Sequence, residues 1–267
     1  MIPNSTVVAF IIAAICTLVL PIVILVVLLL KKKINWLPLL VGVAAFFVSQ
    51  IVLRIPILTA LSGQEWYQNF AATNYIVFIL LLSFSAGLFE ESARLGGALL
   101  LKNNRTFKDI ISFGLGHAFC EVIILIGISH VNNVSLCMTL NGNGGTSALP
   151  PEVLEVAAAQ LAAVNPAHVY WGILERFSAV LFHLFATLLV FKGVIQKQWR
   201  YYVFAIITHT LFNFIGVLLT QFGVEIAEIV LLIMALAAGY YIIRSRGVAT
   251  GTSQYTAEAP AQTPPGE

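Results

Sequence analysis

From Val7 to Leu30 the chain runs twenty-four residues without a charged side chain, and this run constrains the fold more than any other feature. A helix rises about 1.5 Å per residue, so roughly 20 apolar residues cross the ~30 Å hydrocarbon core of a bilayer. Six more segments of comparable character follow, so the spans lie at about 7–30, 36–61, 75–101, 110–130, 169–191, 201–220 and 226–243. With 59% hydrophobic and only 10% charged residues among 267, an ordinary soluble domain is excluded. The expected fold is all-α: one polytopic membrane domain over 1–243, a bundle of about seven transmembrane helices, followed by a polar, Pro-rich tail at 244–267 read as disordered. The first run is read as a span and not as a cleaved signal, because no basic residue precedes it and it is longer than a signal h-region.

Charge placement then sets the orientation. Lys31, Lys32, Lys33, Lys102, Arg105, Lys108, Lys192, Lys197, Arg200, Arg244 and Arg246 all follow odd-numbered segments and fall on one side. The opposite side has no Lys or Arg in its loops and carries Glu65, Glu152, Glu155, Glu225 and, at the start of the last segment, Glu228. By the positive-inside rule the N-terminus is outside and the C-terminus cytoplasmic. The net charge of +2 says little in such a chain, and no nucleic-acid partner is read from it. Cys16, Cys120 and Cys137 are odd in number and imply no disulfide framework.

Within the third segment, "GLFEESARLGG" puts Glu90, Glu91 and Arg94 into an apolar helix. Its fourteen Leu, Ile, Val or Phe residues contribute about 6 kcal/mol toward insertion, against roughly 9 kcal/mol for three ionisable groups near mid-span. Arg94 is four residues from Glu90 and three from Glu91, so it pairs with either and leaves one carboxylate over. Matching stripes occur elsewhere. "FGLGHAFCE" aligns Phe113, His117 and Glu121, with Gly114 and Gly116 permitting close helix approach; "LERFSAVLFH" aligns Arg176 with His183; "THTLFN" aligns His209 with Asn213.

Counted from the basic end, Glu90 lies about 16 Å in, His117 about 10, His183 about 13 and His209 about 12. One polar cavity is therefore expected, opening nearer the cytoplasmic side. Segments three to six form one cluster around it, with the first and seventh peripheral. Arg54 and Glu175 are read as structural partners or outer-end anchors. His130 and His168 are read as solvated, flanking an outer loop over 131–167 that contains a short helix ending before Pro166.

The combination of "EESAR", "FGLGH" with Glu121 following, "ER" with a downstream His, and "HTLFN" resembles the YhfC branch of the CAAX-protease and bacteriocin-processing intramembrane peptidases. That superfamily is marked by paired glutamates with a following Arg or Lys, an FxxxH motif and an HxxxN or HxxxD motif. It is distantly similar to PrsW proteases and to the polytopic scaffold subunit of gamma-secretase. The resemblance spans about Gln50 to Gly216. Prenyl-protein CAAX proteases space their arginine one residue further on, which argues against prenylated substrates.

The resemblance implies a bacterial plasma-membrane hydrolase acting on a membrane peptide or protein. Glu90 is then the general base, holding a water with His117, and His209 and Asn213 donate to the oxyanion. Glu91, Arg94, Glu121 and Arg176 orient and balance charge, and His183 stands in the first or second layer. Members are often labelled metalloproteases, and His117, His183 and His209 with Glu90 or Glu121 make an acceptable zinc set. The absence of HExxH and the likeness to the CAAX branch favour a metal-free glutamate mechanism. The same residues also suit a catalytically silent scaffold or a proton relay in a transporter, although no inverted repeat is present.

Overall fold

The computed structural model describes residues 1–142 and 150–246. The segment 143–149 and most of the tail expected to be disordered, 247–267, lie outside the described residues. In chain order the helices are α1 (Asn4–Leu30), α2 (Trp36–Ser62), α3 (Glu65–Thr73), α4 (Tyr75–Leu100), α5 (Phe107–Leu140), α6 (Pro151–Ala162), α7 (Pro166–Gln196), α8 (Arg200–Phe222) and α9 (Val224–Arg244). All but α3 and α6 are long and apolar enough to cross a membrane, and no strand occurs among the described residues. The chain is an integral, multi-pass, all-α membrane protein.

Polar caps explain why some helices exceed their apolar cores. Thr106 and Asp109 form a reciprocal capping box, with Asp109 Oδ2 accepting from the Thr106 backbone N–H at 3.0 Å, so α5 begins at Phe107 instead of near 110. Asn165 Oδ1 accepts from the Ala167 N–H at 3.0 Å and Pro166 takes the first helical position, so α7 starts ahead of 169.

The far end of α5 corrects a larger expectation. The chain does not leave the helix near 131 but continues to Leu140, because Cys137 and the residues around it pack with Ile2, Ala9, Phe10 and Ala13 of the N-terminal segment and with Leu161 and Val169. His130 is accordingly not solvated: it is half-buried against the ring of Phe10, with centroids 5.8 Å apart. His168 is exposed, and α6 is the short helix expected before Pro166. The three cysteines are free.

Glycines set the closest crossings. A methyl group on Gly42 would overlap the Phe113 carbonyl and one on Gly116 would overlap the Leu39 carbonyl, so α2 and α5 meet backbone to backbone. This seats one face of α2, with Phe46, Ser49 and Gln50 buried, against the polar layer. α1 is peripheral, as expected, but α9 is not: it lies along α7 with Leu231, Ala235, Ala238 and Ile242 buried.

Three spans contain π-type turns, at Ile15–Val19 in α1, Phe47–Arg54 in α2 and Val122–Gly127 in α5. The second carries Gln50 and Arg54, and the third begins immediately after Glu121, so two of the three flank the polar interior. At the basic end, Ala98, Leu101, Ile110, Phe113, Leu188, Leu189, Val190, Phe191, Ala205 and Ile242 form one apolar plug. Its centre is an edge-to-face contact between Phe113 and Phe191, with centroids 5.3 Å apart.

Candidate active site

α4 tolerates its charges by segregating them. Ile79, Ser83, Ala86, Gly87, Glu90, Glu91, Arg94, Gly97 and Ala98 form its buried face, at the three- and four-residue spacing of a helix. Leu80, Leu81, Phe84 and Leu88 point outward, where lipid would meet them. Glu91 and Arg94 are completely buried and Glu90 is 5% exposed.

Arg94 organises the interior. Its Nη1 donates to Glu91 Oε1, and its Nη2 lies 2.6 Å from His183 Nδ1 and 3.5 Å from Glu90 Oε2. A guanidinium has no acceptor, so His183 Nδ1 supplies the lone pair and its ring proton belongs on Nε2. That Nε2 stands 2.7 Å from Glu121 Oε2, at hydrogen-bonding distance but outside hydrogen-bond angles. By the same logic His209 Nδ1 donates to Glu91 Oε1 at 2.7 Å, which turns Nε2 toward Glu90 Oε1 at 3.9 Å.

Glu90 is the residue on which contacts converge. Oε1 accepts from Gln50 Nε2 at 3.0 Å, and Oε2 is 2.9 Å from His117 Nε2. Behind His117, Phe46 meets the imidazole edge-on at 5.3 Å. Glu90 closes one end of a cavity of about 380 Å3 also lined by Gln50, Arg54, Glu121, Asn213, Thr220 and Glu228. Its walls come from Leu82, Ser83 and Ala86 of α4, Leu125 of α5, Glu175 of α7 and Gly216 and Val217 of α8. All of these lie on the Glu-rich side of Glu90. The cavity therefore runs away from the basic end, opposite to the expected direction, because the plug around Phe113 and Phe191 fills the space on the basic side.

Of the residues expected to carry chemistry, Glu90, Glu121 and Asn213 border the cavity, while His117, His183 and His209 are buried behind Glu90. Asn213 lines the cavity, and no side-chain hydrogen bond engages its amide among the described residues. Arg176 donates from Nη1 to Glu121 at 3.2 Å and from Nη2 to Glu175. Gln50 escaped sequence reasoning altogether. Its signal was an amide in the apolar run "FFVSQIVLR", one helical turn before an arginine. Arg54 is more than an outer anchor: it donates to Gln50 Oε1 at 3.1 Å, Ser85 Oγ at 3.0 Å and the Leu82 carbonyl at 2.9 Å, and so aims the Gln50 amide at Glu90.

A metal-ligand set also emerges. Glu90, His183 and His209 offer donor atoms within 4.8 Å of one another. His117, which sequence reasoning included, is outside this trio and is committed to Glu90. The trio is the one-carboxylate, two-imidazole type that zinc accepts, and Glu91 holds the opposite nitrogen of His209 as outer-layer carboxylates do. The residues fit a divalent cation in kind and spacing, with one condition: the His183 lone pair it would take is the one that Arg94 now occupies.

A family model described as "YhfC intramembrane metalloprotease" matches residues 16–234. The chain is 29% identical over 171 residues to an "Uncharacterized membrane protein YhfC" of Bacillus subtilis (strain 168), covering 61% of this chain and 66% of that protein. It thus spans just under two thirds of that relative's length. No solved structure gives a significant match.

Proposed function

The chain belongs to the YhfC family, and on that premise we propose that it is an intramembrane peptidase whose attacking water is activated by Glu90. The observation that carries the reading is the setting of this carboxylate. Glu90 is almost wholly buried and held on one oxygen by Gln50 and on the other by His117, yet it borders a cavity inside the bundle. A carboxylate accepts about four hydrogen bonds, so the three protein donors, Gln50, His117 and the more distant Arg94, leave a lone pair to orient a water.

In this reading the water oxygen attacks the scissile carbonyl carbon as its proton passes to Glu90. The oxyanion accepts from the Asn213 amide, and Glu90 returns the proton to the departing amine as the C–N bond breaks. His209 keeps its Nδ1 proton on Glu91 and presents Nε2 beside Glu90 as a second acceptor. Arg94, Glu91, Glu121 and His183 hold this arrangement and balance its charge. A second reading is that Glu90, His183 and His209 would hold a zinc ion, which would supply Lewis-acid chemistry there; the trio's spacing is what favours it.

The wider placement among CAAX-type and PrsW-type peptidases belongs to the same proposal, supported by the convergence of "EESAR", "FGLGH" and "HTLFN" residues around Glu90. So does the orientation, which the distribution of Lys and Arg supports: basic end in the cytoplasm of a bacterium, cavity toward the outside. The test is cleavage of membrane-anchored peptides by the purified protein in liposomes, comparing wild type with Glu90→Gln. General-base catalysis is worth about a hundredfold or more, so the variant should lose at least that while remaining folded. Equal cleavage by both removes Glu90 as the base, and none by either leaves a scaffold.

A further inference from the structure

The charges around the cavity do not balance, and the imbalance is localised. Five carboxylates, Glu90, Glu91, Glu121, Glu175 and Glu228, line the cavity or stand directly behind it, together with three guanidiniums, Arg54, Arg94 and Arg176. Each guanidinium is engaged: Arg94 by Glu90 and Glu91, Arg176 by Glu121 and Glu175, Arg54 by Gln50, Ser85 and the Leu82 carbonyl. Glu90 has Gln50 and His117. Glu228 has nothing comparable.

Glu228 lies on the second turn of α9, only 6% exposed, with its carboxyl group on the cavity and Oε2 lacking a hydrogen-bond partner among the described residues. Glu175, of like charge, lines the same cavity, and Arg176 is already shared by Glu121 and Glu175. A buried ion without a counter-ion is strongly unfavourable, and buried polar groups are rarely left unbonded.

We propose that Glu228 is the subsite for a positively charged group of the substrate, an alkylammonium or guanidinium, at the end of the cavity opposite Glu90. The word substrate rests on the peptidase reading; the cation site does not. A small inorganic divalent ion is a poor occupant, since it requires several oxygen ligands where one carboxylate is free. The cavity is instead of a size for organic groups. Thr220, exposed at the end of α8, brings the cavity to the surface beside this carboxylate, so a chain entering from the Glu-rich end meets Glu228 before Glu90.

The source of the charge, a Lys or Arg side chain or a free N-terminus, is separable with three blocked or unblocked tripeptides. Acetyl-Gly-Gly-Lys-amide carries only the side-chain charge, Gly-Gly-norleucine-amide only the terminal one, and acetyl-Gly-Gly-norleucine-amide neither. Binding to the full-length detergent-solubilised protein is read by calorimetry. At least one charged probe should bind about thirtyfold more tightly than the neutral one, and Glu228→Gln should abolish the difference. In parallel, carbodiimide labelling of Glu228 in the wild-type protein, read by peptide mass, should fall when that probe is present. This arm does not depend on a variant folding. Equal affinity for all three probes, or labelling that the charged probes leave unchanged, overturns the proposal and makes Glu228 a protonated structural carboxyl. Cation-selective binding without any peptide cleavage would retain the site and reject the peptidase reading.

Discussion

Removing Arg94 tests whether the interior is held together by charge pairing. In Arg94→Ala, Glu91 loses its guanidinium and keeps only His209, while Glu90 loses its longer 3.5 Å pair with Arg94, keeps Gln50 and His117, and gains an uncompensated neighbour. Both carboxylates stay buried, with Glu91 fully inaccessible. Breaking a buried pair by removing one partner costs about 3–5 kcal/mol. At about 2–4 °C per kcal/mol for a chain of this size, the melting temperature in detergent should fall by roughly 10 °C. Because Glu91 is the partner left worst off, Arg94→Ala with Glu91→Gln should regain part of the loss, a coupling of about 1–3 kcal/mol. Arg94→Lys should lie between, since one ammonium cannot reproduce the fork that spans Glu91 and His183. The assay is intrinsic fluorescence during heating of all four proteins. A shift under about 2 °C for Arg94→Ala, or no recovery with Glu91→Gln, would refute the pairing argument.

Other outcomes follow from the same geometry. Gly116→Val should destabilise by about 1–3 kcal/mol through overlap with the Leu39 carbonyl, and unchanged thermal unfolding would contradict the close α2–α5 crossing. Asn213→Ala should lower turnover by about a hundredfold with little change in melting temperature, as loss of an oxyanion donor does; unaltered turnover removes that role. Zinc binding, measured by titration, should be lost in His183→Ala and His209→Ala but retained in His117→Ala, and equal behaviour of the three discards the Glu90, His183, His209 trio. A cysteine at Ala163 should react with an impermeant maleimide on intact cells while a C-terminal tag is protected; the reverse pattern inverts the topology and the direction in which the cavity faces.

The membrane class, the number of spans and most of the polar interior were legible because they follow from local rules. Apolar runs of bilayer length become helices whatever surrounds them, and residues three, four or seven apart share a face. That is why Glu90, His117, His183 and His209, on four helices, were expected together and are found together, with Glu90 2.9 Å from His117, 3.8 Å from His183 and 3.9 Å from His209. Helix ends were less legible where a polar cap, as at Thr106, or distant packing, as at Cys137, extends a helix past its apolar core.

What only the tertiary structure decided is how each side chain is committed and which way the interior opens. Spacing makes Glu90 and Glu91 equivalent partners for Arg94, but the packing of α8 turns Glu91 toward His209, and α2 and α5 turn Glu90 toward Gln50, His117 and the cavity. Gln50 enters the site because Gly42 and Gly116 let α2 and α5 touch, a contact between residues far apart in the chain. Depth along a helix places the polar layer, yet whether empty space lies above or below it depends on how side chains from several helices fill the volume. Phe113 and Phe191 fill the basic side, so the cavity lies on the other side, with Glu228 at its far end.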